Sequence, residues 1–115
     1  MILEILTMRY PGLRAWLLQR LTGLVIAIYS VGFSVRLLML KPNGFEAWHV
    51  FFNPCWVRIA TLLMWVSLSE HAWLGVRDVL KDYVPNVAMR TMLTKLVATA
   101  LWVYLAWAIW LLVTL

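Results

Sequence analysis

One cysteine, Cys55, stands in a chain of 115 residues. A disulfide framework needs pairs, so none forms within the chain, and zinc motifs built on paired cysteines are excluded with it. Charge is scarce as well, at 13% of residues, against ~25% in an ordinary soluble domain. The hydrophobic share is 64% and the mean hydropathy is +0.85. A soluble domain of this size leaves a large fraction of its surface wet and could not hide so much apolar area. Lipid must therefore solvate much of it, and an independent soluble enzyme domain is excluded. No internal repeat or low-complexity linker breaks the chain.

Three stretches meet the length of ~20 mostly apolar residues that a membrane crossing needs. They run over 17–40, 57–80 and 94–115. The pattern predicts an all-α integral membrane protein, with three transmembrane helices in a single domain over 1–115. In the first span the internal charges are Arg20 near its start and Arg36 near its end, both placed to snorkel. Lys95 is the only charge of the third. The second carries Glu70, His71, Arg77 and Asp78.

The first twenty residues do not read as a cleavable signal, because Arg9, Arg14 and Arg20 are spread through them and no apolar core leads to a small-residue cleavage site. Pro11-Gly12 marks a break before the first span, and Met1 to Tyr10 is expected along the membrane surface. The first connecting loop opens with the turn signal Lys41-Pro42-Asn43-Gly44 and continues through Phe45, Trp48, Phe51, Phe52 and Trp56, a composition suited to the headgroup zone. His49 lies among these rings and reads as wet rather than ligating. In the second loop Pro85 biases Val84 away from helical geometry, so the second span should end near Tyr83.

The net charge is +5, but the cations fall between apolar runs instead of clustering, which argues against nucleic-acid binding. Arg9, Arg14, Arg20, Arg77, Lys81, Arg90 and Lys95 share one side, and Arg36, Lys41 and Arg58 the other. That imbalance predicts a cytoplasmic N-terminus and second loop, with the C-terminus on the far side.

The second span carries the chemistry. Ionisable groups at membrane depth are costly, and they face bundle interiors or mark function. At ~100° per residue, Ser67, His71, Gly75, Asp78 and Asp82 fall within ~80° of arc. His71 lies ~21 Å along the helix from Val57, within the ~30 Å of hydrocarbon. Asp82 and Tyr83 lie another ~16–18 Å on, at the interface. Gly75, one turn after His71, would let something flat approach the backbone. A neutral imidazole can give a nitrogen lone pair to haem iron; it can also hydrogen-bond between helices, or carry protons. From position alone all three roles stay open, as does a solvated loop with an interfacial tyrosine for Asp82-Tyr83. One histidine at this depth supplies one axial ligand, so a six-coordinate haem would take its other ligand from another chain. In the first span Arg20, Gly23, Ala27 and Ser34 fall within ~60° of arc, which predicts a closely packed face with Arg20 at its cytoplasmic end. Phospholipid headgroups and anionic cofactor groups would both suit that guanidinium.

His71-Ala72-Trp73-x-Gly75, followed after six residues by Asp82-Tyr83, resembles the small hydrophobic membrane-anchor subunit of bacterial succinate dehydrogenase. Gln19-Arg20-x-Thr22 and the three-span hydropathy, which covers nearly the whole chain, agree with it. The resemblance implies half of a heterodimeric haem-binding helical bundle. Its partners would be a second membrane subunit of the C type, an iron–sulfur subunit and a flavoprotein that oxidises succinate. It implies haem b shared with the C-type subunit and ubiquinone as electron acceptor, in the bacterial inner membrane. By the same resemblance His71 is the axial haem ligand, Tyr83 hydrogen-bonds a quinone carbonyl, Asp82 tunes that site or feeds it protons, and Arg20 lies near the haem propionates or the quinone pocket. Glu70 departs from the apolar residue expected before the histidine. Two other classes remain: a small proton-coupled transporter using Glu70, His71 and Asp78, and an assembly scaffold without a cofactor.

Overall fold

The computed structural model describes residues 12–115; the expected surface segment, Met1 to Tyr10, and Arg9 with it lie outside them. Four helices follow in order: α1 (Leu13–Leu40), α2 (Phe45–Phe52), α3 (Cys55–Tyr83) and α4 (Val87–Thr114). Three of them, α1, α3 and α4, are long and apolar enough to cross a membrane. At 28 or 29 residues each they extend ~42 Å, beyond the hydrocarbon at both ends. The chain is an all-helical membrane protein, and among the described residues there is no strand.

Local chemistry sets the breaks. Gly12 caps α1 at φ 90, and Lys41 closes it in the left-handed region at φ 42, its N–H reaching Leu37 O. Gly44 takes φ 85, a value open to glycine and strained for residues with a Cβ. Val84 is extended at φ −112, ψ 98, so α3 ends at Tyr83 as the following proline dictates. Asn86 then caps α4, its side-chain oxygen accepting the Met89 N–H at 3.2 Å.

The aromatic run of the first loop is not a loop but α2. Its Phe51, Phe52 and Trp48 pack together and against Phe33 of α1. Arg36 does not snorkel to water. Its guanidinium stacks 4.9 Å from both the Phe51 and the Trp56 rings and donates to Phe51 O at 3.1 Å. The carbonyl and two π faces there replace part of its hydration, while Nε is buried without a hydrogen-bond partner among the described residues.

Helix α3 is the central helix, packed against both α1 and α4. The α1–α3 register is antiparallel: Gln19 meets Gly75, Thr22 meets His71, Tyr29 meets Thr61, and Arg36 meets Trp56. Little of the chain is enclosed. Among the described residues Phe51, Val57, Leu74 and Ala108 are the buried apolar ones, beside buried Thr22, Thr61 and Ser67. The large exposed side chains, such as Trp102, Trp107, Trp110 and Val113 on α4, form a surface for lipid or for another apolar chain, not for water.

Candidate functional site

His71 sits on α3 where that helix crosses α1. Its Nδ1 lies 3.2 Å from Thr22 Oγ1. The Thr22 hydroxyl is itself 2.6 Å from Leu18 O and 3.2 Å from Gln19 O. Among the described residues the His71 Nε2 has no hydrogen-bond partner. A Cβ added to Gly23 would come 3.4 Å from His71 Cε1. The glycine against the imidazole is therefore Gly23 of α1, not Gly75. The open side of Gly75 faces Gln19, whose Nε2 would lie 3.9 Å from an added Cβ. Gln19 Oε1 is buried there without a partner among the described residues.

The polar stripe expected on α3 divides along its length. Ser67 is buried, and His71 and Gly75 are partly covered toward α1; Asp78 and Asp82 are exposed. Asp78 pairs with its neighbour Arg77 at 3.5 Å. Glu70 turns the other way, into a cleft of about 310 Å³ between α3 and α4 that includes Trp73 and Trp102. Glu70 thus lies on a different face from His71 and Asp78, which share a face but stand ~10 Å apart along the axis, and no relay joins the three among the described residues.

The small-residue stripe on α1 is not the face that meets α3. Arg20, Ala27 and Ser34 are exposed, and only Gly23 at its edge meets α3. The face that packs is built from Gln19, Thr22 and Tyr29, side chains that can hydrogen-bond across the seam. Small residues mark a face that permits close approach, but they do not specify which helix approaches. Arg20 instead extends outward, 5.5 Å from the Trp16 ring.

Asp82 and Tyr83 occupy the last turn of α3. Tyr83 is 79% exposed, and neither side chain forms a hydrogen bond among the described residues. They stand ~16–18 Å along the axis from His71. The chain alone does not gather His71, Arg20, Asp82 and Tyr83 into one pocket. Arg20, Asp82 and Tyr83 stand on open surface, while His71 is partly covered in the α1–α3 seam. At the same end a cleft of about 500 Å³ brings Arg77 and Lys81 of α3 to Arg90 and Lys95 of α4. At the opposite end Arg58 donates to Asn53 Oδ1 and to Leu115 O.

The donor set fits a single axial ligand to haem. Among the described residues one imidazole is held at one nitrogen and unpartnered at the other, and no group of three or more His, Cys, Asp or Glu could hold a bare metal ion. A hydrogen bond between helices is one of the roles the sequence leaves open for His71, while Thr22 has none assigned there. The signal was present: Thr22 is a lone hydroxyl in an apolar run, beside a glycine.

These features define a class: a three-span membrane protein with a hydrogen-bonded histidine in its helix seam and polar groups displayed at one interface. The family model of the succinate dehydrogenase/fumarate reductase transmembrane subunit matches residues 4–113. The chain is also similar to the succinate dehydrogenase hydrophobic membrane anchor subunit of Coxiella burnetii, 39% identical over 85% of each chain. The proteins of the same description in Rickettsia felis and Rickettsia conorii are 34% and 33% identical. They match over 82% and 75% of this chain, and 78% and 69% of their own. The chain belongs to the succinate dehydrogenase/fumarate reductase transmembrane subunit family, and at that level its role is that of a multi-pass succinate dehydrogenase membrane anchor associated with the other subunits of the complex.

Proposed function

We propose that this anchor binds haem b through His71 and contributes Tyr83, Asp82 and Arg20 to a quinone-reduction site. It does so together with a second, C-type membrane subunit, with which it would hold the haem jointly, below an iron–sulfur subunit and a flavoprotein that oxidises succinate. The observation that supports the reading is the His71 environment: an imidazole at membrane depth, tethered at Nδ1 and, among the described residues, unpartnered at Nε2. Haem b, when bound, supplies a one-electron site within the bilayer. The chain's own residues do the rest. Thr22 and Gly23 orient the imidazole ring. The Tyr83 phenol, at the membrane–water boundary, can donate a hydrogen bond to a carbonyl oxygen of a lipid-soluble quinone. Asp82, beside it and open to water, can pass protons to a quinone being reduced to its quinol, which takes up two. Arg20 offers a fixed cation to an anionic propionate or to the quinone pocket. The exposure of these groups fits a site closed by a partner chain.

The cationic cleft of Arg77, Lys81, Arg90 and Lys95 supports a cytoplasmic placement of that end in a bacterial inner membrane, by the positive-inside rule. The N-terminus is then cytoplasmic and the C-terminus periplasmic. The test is a reduced-minus-oxidised spectrum of the complex purified in mild detergent. His71→Ala should abolish or shift the haem bands; an unaltered spectrum rejects the ligand assignment.

A further inference from the structure

The Thr22 hydroxyl has one proton and three neighbours within hydrogen-bonding reach. Two are carbonyl oxygens of its own helix, Leu18 O at 2.6 Å and Gln19 O at 3.2 Å. The third is His71 Nδ1 at 3.2 Å. Carbonyl oxygens only accept, so the hydroxyl proton goes to the short Leu18 contact. The Thr22 oxygen then faces His71 with a lone pair, and a bond between them requires the hydrogen on Nδ1. Thr22 is buried, at 8% exposure, so water does not readily take its place. Gly23, the next residue, leaves room for the ring edge at Cε1.

We infer that Thr22 is the positioning residue of His71: with its own proton committed to Leu18 O, its hydroxyl oxygen accepts the Nδ1 hydrogen, fixing the tautomer in which Nε2 alone carries the lone pair that a metal can take. This rests on the reading of His71 as haem ligand and adds the residue that holds it. A hydrogen bond accepted from the far nitrogen of a ligating imidazole fixes ring orientation and raises ligand basicity. A more basic ligand favours the more highly charged, oxidised iron. Removing the acceptor therefore raises the haem midpoint potential. A residue that only filled space would leave the potential unchanged when replaced by a side chain of the same shape.

The test compares Thr22→Val, which keeps the shape and loses the oxygen, with Thr22→Ser, which restores it. The whole complex is purified in detergent, its haem-to-flavin ratio is measured and its haem is titrated. Thr22→Val should raise the ferrous-to-ferric ratio at fixed solution potential by about threefold, or about 28 mV for a one-electron couple, while Thr22→Ser titrates like wild type. Loss of haem from Thr22→Val with full haem in Thr22→Ser supports the inference equally, since the hydroxyl is what differs. An unshifted potential in Thr22→Val overturns it, and so does an equal shift in both variants, since Thr22→Ser keeps the hydroxyl that the inference requires. A His71→Ala complex that keeps the wild-type haem spectrum is a separate failure, of the ligand reading itself.

Discussion

Tyr29 of α1 and Thr61 of α3 share a hydrogen bond of 2.8 Å between their hydroxyls, in the same seam as His71 but nearer its opposite end. In lipid, burial of apolar surface does not drive two helices together, so packing and such interhelical bonds fix the register. Thr61 is buried at 6% exposure, but a threonine hydroxyl in a helix can turn to the carbonyl one turn back. Tyr29→Phe should therefore cost only ~0.6 kcal/mol. Thermal dissociation of the detergent-solubilised complex should shift by a few degrees at most, with haem content unchanged.

Arg36 should prove far more sensitive. It sits between two aromatic rings and donates to a backbone oxygen of α2, so its loss would unpair that carbonyl and empty the space between the rings. Arg36→Ala is expected to destabilise by ~2–3 kcal/mol. Arg36→Lys should recover only part, because an ammonium lacks the planar face that stacks. The same thermal dissociation measurement checks both, with Tyr29→Phe as the mild reference.

The spans and the end of α3 were legible because they depend on short-range physics: apolar run length for the former, the steric demand of Pro85 for the latter. His71 was legible as a costly group at membrane depth. Helix α2 was hidden because aromatic residues near charges read equally well as interfacial loop or as short helix; the packing of Phe51 on Phe33 and Arg36 decides between them. The outward placement of Arg20 was hidden for another reason. An angular stripe shows which residues share a face, and the α1 stripe of small residues faces away from α3. What covers Arg20 and Tyr83 is a property of the assembled complex, which one chain's sequence does not contain.

Gly23 provides a test graded by size. A Cβ there makes ordinary van der Waals contact with the imidazole at 3.4 Å, and alanine favours a helix over glycine by ~1 kcal/mol. Gly23→Ala should assemble normally and retain its haem. Gly23→Leu adds a branched chain directed at the ring, and should displace His71 and lose most of the haem absorbance. The haem-to-flavin ratio of purified complexes separates the two outcomes.

Tyr83 and Asp82 should show the reverse profile, with stability untouched and function impaired. Both side chains are exposed and neither holds any part of the helix seam, so Tyr83→Phe and Asp82→Asn should change stability by no more than ~0.5 kcal/mol. If Tyr83 donates to a quinone carbonyl, the phenylalanine variant loses that bond and leaves the acceptor oxygen without its donor, at a cost of ~1–3 kcal/mol. That corresponds to a fall of roughly 5- to 150-fold in quinone reduction at limiting quinone. Succinate oxidation coupled to a soluble artificial dye bypasses the membrane site and should remain near wild type in both variants. Equal loss of both activities would instead place Tyr83 in the contact with the soluble subunits, where removing its hydroxyl detaches them rather than weakening a quinone contact.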